Sequence, residues 1–190
     1  MPAMMDTPLT KLSRLRACSP ALDWVASPTI HTLSEQELWE CCHRPGWMLW
    51  YLGRIAQGLP AGFPQHKRVV LATILCVREL VPLVRGCDFG PGFSQIEAWA
   101  RRFDDEPMGR LDVPVYLGAN HAVWRTRSYM ATVAHTRSNL AAVCQLAIGE
   151  LSVAAGATAF GDPFSLCRII RDAVPNVPVV YLLLPTGELP

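Results

Sequence analysis

The stretch HKRVVLATILCVRELVPLVRG, from His66 to Gly86, decides the fold class. Its apolar residues recur at helical spacing, with Val70, Ile74 and Val77 on one stripe. The β-branched residues would also suit a strand, but the length of the stretch favours a helix. We therefore predict one long buried helix, which Pro82 kinks or ends early.

Start and stop signals elsewhere in the chain predict further helices. Ser34 and Glu37 have the spacing of a capping box, Ser94 is placed to cap a helix, and Asp162 with Pro163 begins the last one. The predicted helices cover 35–43, 47–57, 66–86, the segment after Ser94, 111–137, 139–159 and 163–174. Because no strand has a convincing partner, the sequence predicts an all-α, single-domain bundle of about six to seven helices.

Length and composition set the domain organisation. A chain of 190 residues can bury one core, so we assign 1–11 to a flexible N-terminal tail, 12–176 to the helical domain and 177–190 to an extended apolar C-terminal tail. Charged residues make up 17% of the chain, against a usual share of about 25%. This low share of charged residues indicates either a large core or an apolar surface that a partner or a second copy of the chain covers.

Charge and cysteine content narrow the classes of partner and compartment. The net charge of +1 provides no global field that would attract nucleic acid or an acidic membrane. Seven cysteines without a CxxC pair are typical of reduced thiols in a cytoplasmic protein. The segment 140–160 is long enough to span a membrane, but Glu150 and its small residues favour an interior helix, so we expect no membrane partner.

The segment CCHRPGWMLWYLGR, Cys41 to Arg54, holds the densest group of chemically active residue types. Adjacent cysteines on a helix point about 100° apart, whereas zinc ligands are usually separated by two to four residues. We therefore predict a core segment rather than a thiol or metal site. Trp47, Trp50 and Tyr51 share a helical face, which indicates core packing or, alternatively, an aromatic binding platform.

Motifs of catalysis are missing from the sequence. It contains no glycine-rich phosphate loop, no HExxH motif and no serine nucleophile elbow. We accordingly predict no cofactor, no metal and no catalytic residue, and favour a non-enzymatic protein.

A stripe of polar residues provides the candidate partner-binding face. His121, Arg125 and Tyr129 lie four residues apart in turn, and so on one side of the predicted helix 111–137. Arginine and tyrosine suit protein interfaces because they combine contact area with directional hydrogen bonds. The predicted partner-binding residues are His121, Arg125, Tyr129, Arg137, Arg101 and Arg102. The same residues could instead be solvated or serve a nucleic-acid-associated subunit of a larger assembly.

A second candidate site is a pocket between the predicted helices 47–57 and 66–85. Arg54, Arg78 and Glu79 are its charged residues, and they would serve a small-ligand receptor or an enzyme. A buried arginine requires a carboxylate, so Glu79 or Glu97 is expected to pair with one of the arginines. A structural ion pair is therefore the competing interpretation.

Several segments together resemble a known family. They are LRACSPALDWV (15–25), LWECCHRPGWMLWYLGR (38–54), RVVLATILCVRELVPLV (68–84), IEAWAR (96–101), a small-residue-rich helix and CRIIRDAVP (167–175). Their order is similar to that of the Imm5-like immunity proteins, small helical proteins of bacteria and phages, over about 12–176. WMLW is the most specific segment, although Pro45-Gly46 stands where the family tends to have an acidic residue. The resemblance implies a helical fold and a protein partner such as a toxin, nuclease or defence effector, and it brings no catalytic residues.

Overall fold

The computed structural model describes residues 7–57, 63–84, 90–102, 108, 125–126, 129–130, 144–147 and 163–175. Within these ranges the chain is helical and has no strand, which confirms the all-α prediction. The helices are α1 (Pro8–Arg14), α2 (Ser19–Ala26), α3 (Glu35–Cys41), α4 (Pro45–Ile55), α5 (Pro64–Leu80), a 3-10 turn (Val81–Leu83), α6 (Pro91–Arg101) and α7 (Pro163–Ala173). Residues 125–126, 129–130 and 144–147 are also helical, while the rest of 111–159 and the tail 177–190 lie outside the described residues.

Helix α5 forms the centre of the domain and packs against α4, α6 and α7. Val70, Ile74 and Val77 are fully buried, as the helical stripe predicts. The helix ends at Leu80, and Pro82 lies in the 3-10 turn that follows. The prediction that Pro82 ends this helix early is confirmed, because proline cannot supply the N–H that another turn would need.

The predicted helix starts are partly confirmed. Ser34 Oγ accepts a hydrogen bond from the Glu37 amide at 3.3 Å, and the Glu37 carboxylate accepts one from the Ser34 amide at 2.8 Å, which completes the capping box. The prediction of Ser94 as a cap is wrong, because α6 begins at Pro91 with Gly90 as its N-cap. A proline fits the first turn, where its missing N–H costs no hydrogen bond.

Helices α4 and α1 both begin earlier than expected. Pro45, which lies between the predicted helices 35–43 and 47–57, is the first residue of α4 rather than part of a linker. Helix α1 begins at Pro8 and so within the residues 1–11 assigned to a tail, with Thr7 Oγ1 accepting from the Thr10 amide at 3.2 Å. No residue of α1 is buried, so this helix rests on the surface of the domain.

Two short helical segments pack against the central helix. Thr73 Oγ1 on α5 lies 3.1 Å from the Sγ of Cys144, which is fully buried. Thr126 Oγ1 donates to the carbonyl oxygen of Ala147 at 3.3 Å, and Met130 is fully buried. The segments around 126 and 144 are therefore parts of one core with α5.

The end of α3 is tied to α7 by one side chain. Arg171 Nε donates to the carbonyl oxygen of Trp39 at 3.0 Å, and its Nη2 donates to that of Cys42 at 2.6 Å. Carbonyls in the last turn of a helix have no partner within the helix. A cation placed there satisfies them and complements the helix dipole, so Arg171 fixes the position of α3.

Within the described part of the chain, no helix combines the length and the apolar composition that crossing a membrane requires.

Candidate binding cavity

An open cavity lies among the first four helices. The cavity has a volume of about 80 Å³. This volume has room for several water molecules or for one medium-sized side chain. Its lining is predominantly apolar and unusually rich in aromatic side chains. These side chains are Trp24 from α2, Trp39 from α3, and Trp47, Trp50 and Tyr51 from α4.

Helix α4 supplies one wall of the cavity because its two faces differ. Leu49 and Leu52 are fully buried in the core, whereas Trp47, Trp50 and Tyr51 are half-buried. The last three share a helical face at the i, i+3 and i+4 positions. The prediction that this segment is core is thus confirmed for the leucines. Trp47 is half-buried and packs against that core, while the half-buried Trp50 fits the alternative of an aromatic platform.

Contacts between helices hold the aromatic side chains in place. The rings of Trp24 and Trp47 have centroids 5.9 Å apart and planes tilted by 49°. The Arg44 guanidinium lies 5.8 Å from the centre of the Trp47 ring, within range of a cation–π interaction. These contacts join α2 to the start of α4 and preorganise the cavity wall.

The charged groups of the cavity neutralise each other. Lys11 Nζ lies 2.8 Å from Glu35 Oε2, and Tyr51 donates its hydroxyl proton to the same oxygen at 3.2 Å. Burial, together with the negative charge of Glu35, raises the pKa of Tyr51 well above its ordinary value, so the hydroxyl stays a donor. The cavity therefore has a polar corner without net charge.

Trp39 contributes its side chain to the cavity lining, while its indole N–H is buried out of reach of water. Only 5% of this residue is exposed, and its indole Nε1 has no hydrogen-bond partner among the described residues. Leaving a buried donor unsatisfied costs about 1–3 kcal/mol.

The surroundings of the adjacent cysteines disfavour their thiolate forms. Burial raises the pKa of the Cys42 thiol, and burial likewise raises that of Cys41. A raised pKa reduces the fraction of the nucleophilic thiolate. Within the described ranges, no group of three or more His, Cys, Asp or Glu side chains is placed to hold a metal ion.

Only part of the predicted partner-binding face lies within the described residues. Arg101 and Arg102 are exposed, but Arg101 Nη2 lies 2.8 Å from Glu97 Oε1 in an ion pair. Arg125 Nη2 donates to the Tyr129 hydroxyl at 3.0 Å, and both residues are half-buried. The predicted i, i+4 neighbours thus meet through a hydrogen bond, and each keeps part of its surface exposed. His121 and Arg137 lie outside the described residues.

The residues of the second predicted pocket lie elsewhere. Arg78 forms an ion pair with Glu97 across α5 and α6, which confirms the expected structural pair, and its side chain is half exposed. Glu79 is exposed, and Arg54 Nη1 donates to Gln57 Oε1 at 2.9 Å. None of Arg54, Arg78 and Glu79 lines the cavity.

Sequence reasoning missed the part of the cavity that α1 to α3 provide. Leu12, Trp24 and Glu35 line it, but no spacing in the sequence connects these three residues with α4. The one signal of an aromatic cavity in the sequence is its six tryptophans, because a core of this size seldom buries six tryptophan side chains completely.

Comparison with known proteins gives no match from which a function could be inferred. No protein-family model, no curated protein and no solved structure matches this chain. The resemblance to Imm5-like immunity proteins stays a prediction.

Proposed function

We propose that this protein is a non-enzymatic binding domain that docks a partner protein at the tryptophan-lined cavity. The observation that carries the proposal is an open, mostly apolar cavity whose lining includes four tryptophans and a tyrosine. Tryptophan and tyrosine are the residues in which binding energy concentrates at protein interfaces, usually around a pocket that an anchor residue fills.

The construction of the cavity supports a recognition role. Leu49 and Leu52 anchor α4 in the core, and Arg171 holds the end of α3 through two hydrogen bonds. The two helices that carry Trp39, Trp47 and Trp50 are therefore held in position by the rest of the domain. A preformed pocket avoids the entropy of ordering side chains at the moment of binding. By contrast, α1 has no buried residue and provides a rim that can adjust to the partner.

The kind of partner follows from the resemblance noted in the sequence. Immunity proteins act by occluding a toxin, nuclease or other effector, and a toxin or effector is accordingly the first class of partner to test. The half-buried Arg125 and Tyr129 are already bonded to each other, which makes the cavity a better docking site than the face predicted from the sequence.

The test compares Leu12, which lies in α1, with Leu15, which is the C-cap of the same helix. Leu12 lines the cavity, whereas Leu15, also half-buried, does not. We expect Leu12→Arg to obstruct the cavity and to reduce capture of one dominant protein at least tenfold, measured by quantitative mass spectrometry from the native host. Leu15→Arg should retain the wild-type amount. Equal capture by both variants would remove the cavity from the docking site.

Salt separates this proposal from the nucleic-acid alternative. Insertion of an apolar anchor resists salt, whereas binding through phosphate contacts weakens steeply as salt rises. Capture should therefore persist at high ionic strength. Retention of nucleic acid at low salt alone would favour the exposed Arg101 and Arg102 as the binding residues.

A further inference from the structure

We infer that α1 is a hinged lid of the cavity, which opens at the turn around Arg16 and is held closed by the ion pair between Lys11 and Glu35. Displacement of α1 removes one wall of the cavity and widens the entrance for the anchor of a partner. The inference rests on the proposed function for the occupant of the cavity, whereas the opening itself is a property of the protein alone.

The surface that α1 buries faces the cavity. Within α1, Pro8, Lys11 and Leu12 are half-buried and line the cavity, whereas the other residues of this helix are exposed. Among the described helices, α1 packs mainly against α2. A helix of seven residues is too short to be stable on its own, and elements with few buried apolar contacts open at a low cost in free energy. Helix α1 can therefore open while the core around α5 stays folded.

The latch is an ion pair that joins α1 to two other walls of the cavity. Lys11 Nζ donates to the two Glu35 carboxylate oxygens at 2.8 and 3.1 Å, and it lies 5.8 Å from the centre of the Tyr51 ring. Because Glu35 belongs to α3 and Tyr51 to α4, this one side chain ties the lid to both helices. The two charged side chains are 22% and 20% exposed, so water can solvate both charges when the lid opens.

The hinge is the turn that ends α1, where Arg16 adopts a left-handed backbone conformation with a φ of 60°. The Arg16 amide donates to the Ser13 carbonyl oxygen at 2.9 Å, and the Ala17 amide donates to that of Leu12 at 3.0 Å. Glycine is the usual residue at this position of such a turn, because a side chain there is strained. Arg16 therefore raises the free energy of the closed lid, and opening of the turn relieves the strain.

Native-state hydrogen exchange of the full chain, followed by NMR at several urea concentrations below the unfolding transition, measures the opening. The Leu15 amide, which donates to the Lys11 carbonyl oxygen at 3.0 Å, reports on α1, and the amide of the fully buried Ile74 reports on α5. We expect the Leu15 amide to be protected at least about 100-fold less than the Ile74 amide. Its exchange should also depend little on urea, because opening of α1 exposes little surface.

Paired variants assign the latch and the hinge. Lys11→Gln breaks the ion pair and should lower the protection of the Leu15 amide about 2- to 5-fold. Arg16→Gly removes the strain and should raise this protection by about the same factor, whereas Arg16→Lys keeps the strained conformation and should leave it unchanged. Glu35→Gln should act as Lys11→Gln does, while Glu40→Gln changes an exposed carboxylate elsewhere on α3 and serves as its control.

The outcomes separate the lid, its latch and its hinge. Equal protection of the Leu15 and Ile74 amides, with the same dependence on urea, would show that α1 opens only when the domain unfolds and would overturn the lid. An unchanged Leu15 amide in Lys11→Gln and Glu35→Gln would overturn the latch, and an unchanged one in Arg16→Gly would overturn the hinge. These results leave docking at the cavity untouched, because capture of a partner by Leu12→Arg tests that proposal separately.

Discussion

Replacing Arg171 tests how the wall of the cavity is held. Its guanidinium donates to the carbonyl oxygens of Trp39 and Cys42, at 3.0 and 2.6 Å. A hydrogen bond that involves a charged group contributes about 1.5–3 kcal/mol. Because the side chain is half-buried, water can replace part of each bond. We expect Arg171→Met to lower the free energy of unfolding by about 2–3 kcal/mol, after this discount for solvent.

Two further variants give this prediction its controls. Arg171→Lys keeps the charge but cannot donate to both carbonyls in the same planar geometry, so about half of the loss should return. Arg168→Met changes an exposed arginine on the same helix and should stay within about 0.5 kcal/mol of the wild type. The assay is urea unfolding followed by circular dichroism. Equal stability of the two methionine variants would refute the role assigned to Arg171.

Other predictions concern local stability and the buried thiols. Ser34→Ala should lower the free energy of unfolding by about 0.5–2 kcal/mol, while Ser94→Ala, which caps no helix here, should change it little; equal effects in urea unfolding would restore Ser94 as a cap. Leu49→Ala removes a fully buried side chain and should cost about 2–5 kcal/mol in the same assay, and a loss under 1 kcal/mol would show that this side of α4 is not core. Burial raises the pKa of the Cys144 thiol to about 12. From about pH 9 upward this thiol ionises in the unfolded state but not in the folded state, so its contribution makes the free energy of unfolding fall as the pH rises. A urea midpoint that rises above about pH 9 in the wild type relative to Cys144→Ala would contradict this prediction. Iodoacetamide at pH 8 should modify the exposed Cys18 and spare Cys144 until the protein unfolds, as read by mass spectrometry, and equal rates would place Cys144 at the surface.

Local signals predicted the helices well because each depends on residues close together in sequence. The capping box at Ser34 and the end of α5 before Pro82 both form as expected. Proline was the main source of error. Pro45 and Pro91 begin helices, whereas the pattern around them indicated a break or a later cap at Ser94, because a proline at the first helical position resembles a helix breaker.

The candidate site could not be predicted to the same degree because it depends on packing between helices. Trp47, Trp50 and Tyr51 could be placed on one face from their spacing. Whether that face meets the core or an opening depends on α1 and α2, which supply Leu12 and Trp24. No periodicity in the sequence encodes this arrangement, since hydrophobic spacing gives the orientation of one helix and not the location of its neighbours.

Photo-crosslinking in the native host tests docking at the cavity most directly. A benzophenone amino acid replaces Leu12 in the cavity lining or, for comparison, the exposed Arg102 at the C-cap of α6. Docking at the cavity predicts that one partner protein crosslinks through position 12 and not through position 102. A partner that crosslinks through position 102 and not through position 12 would contradict it.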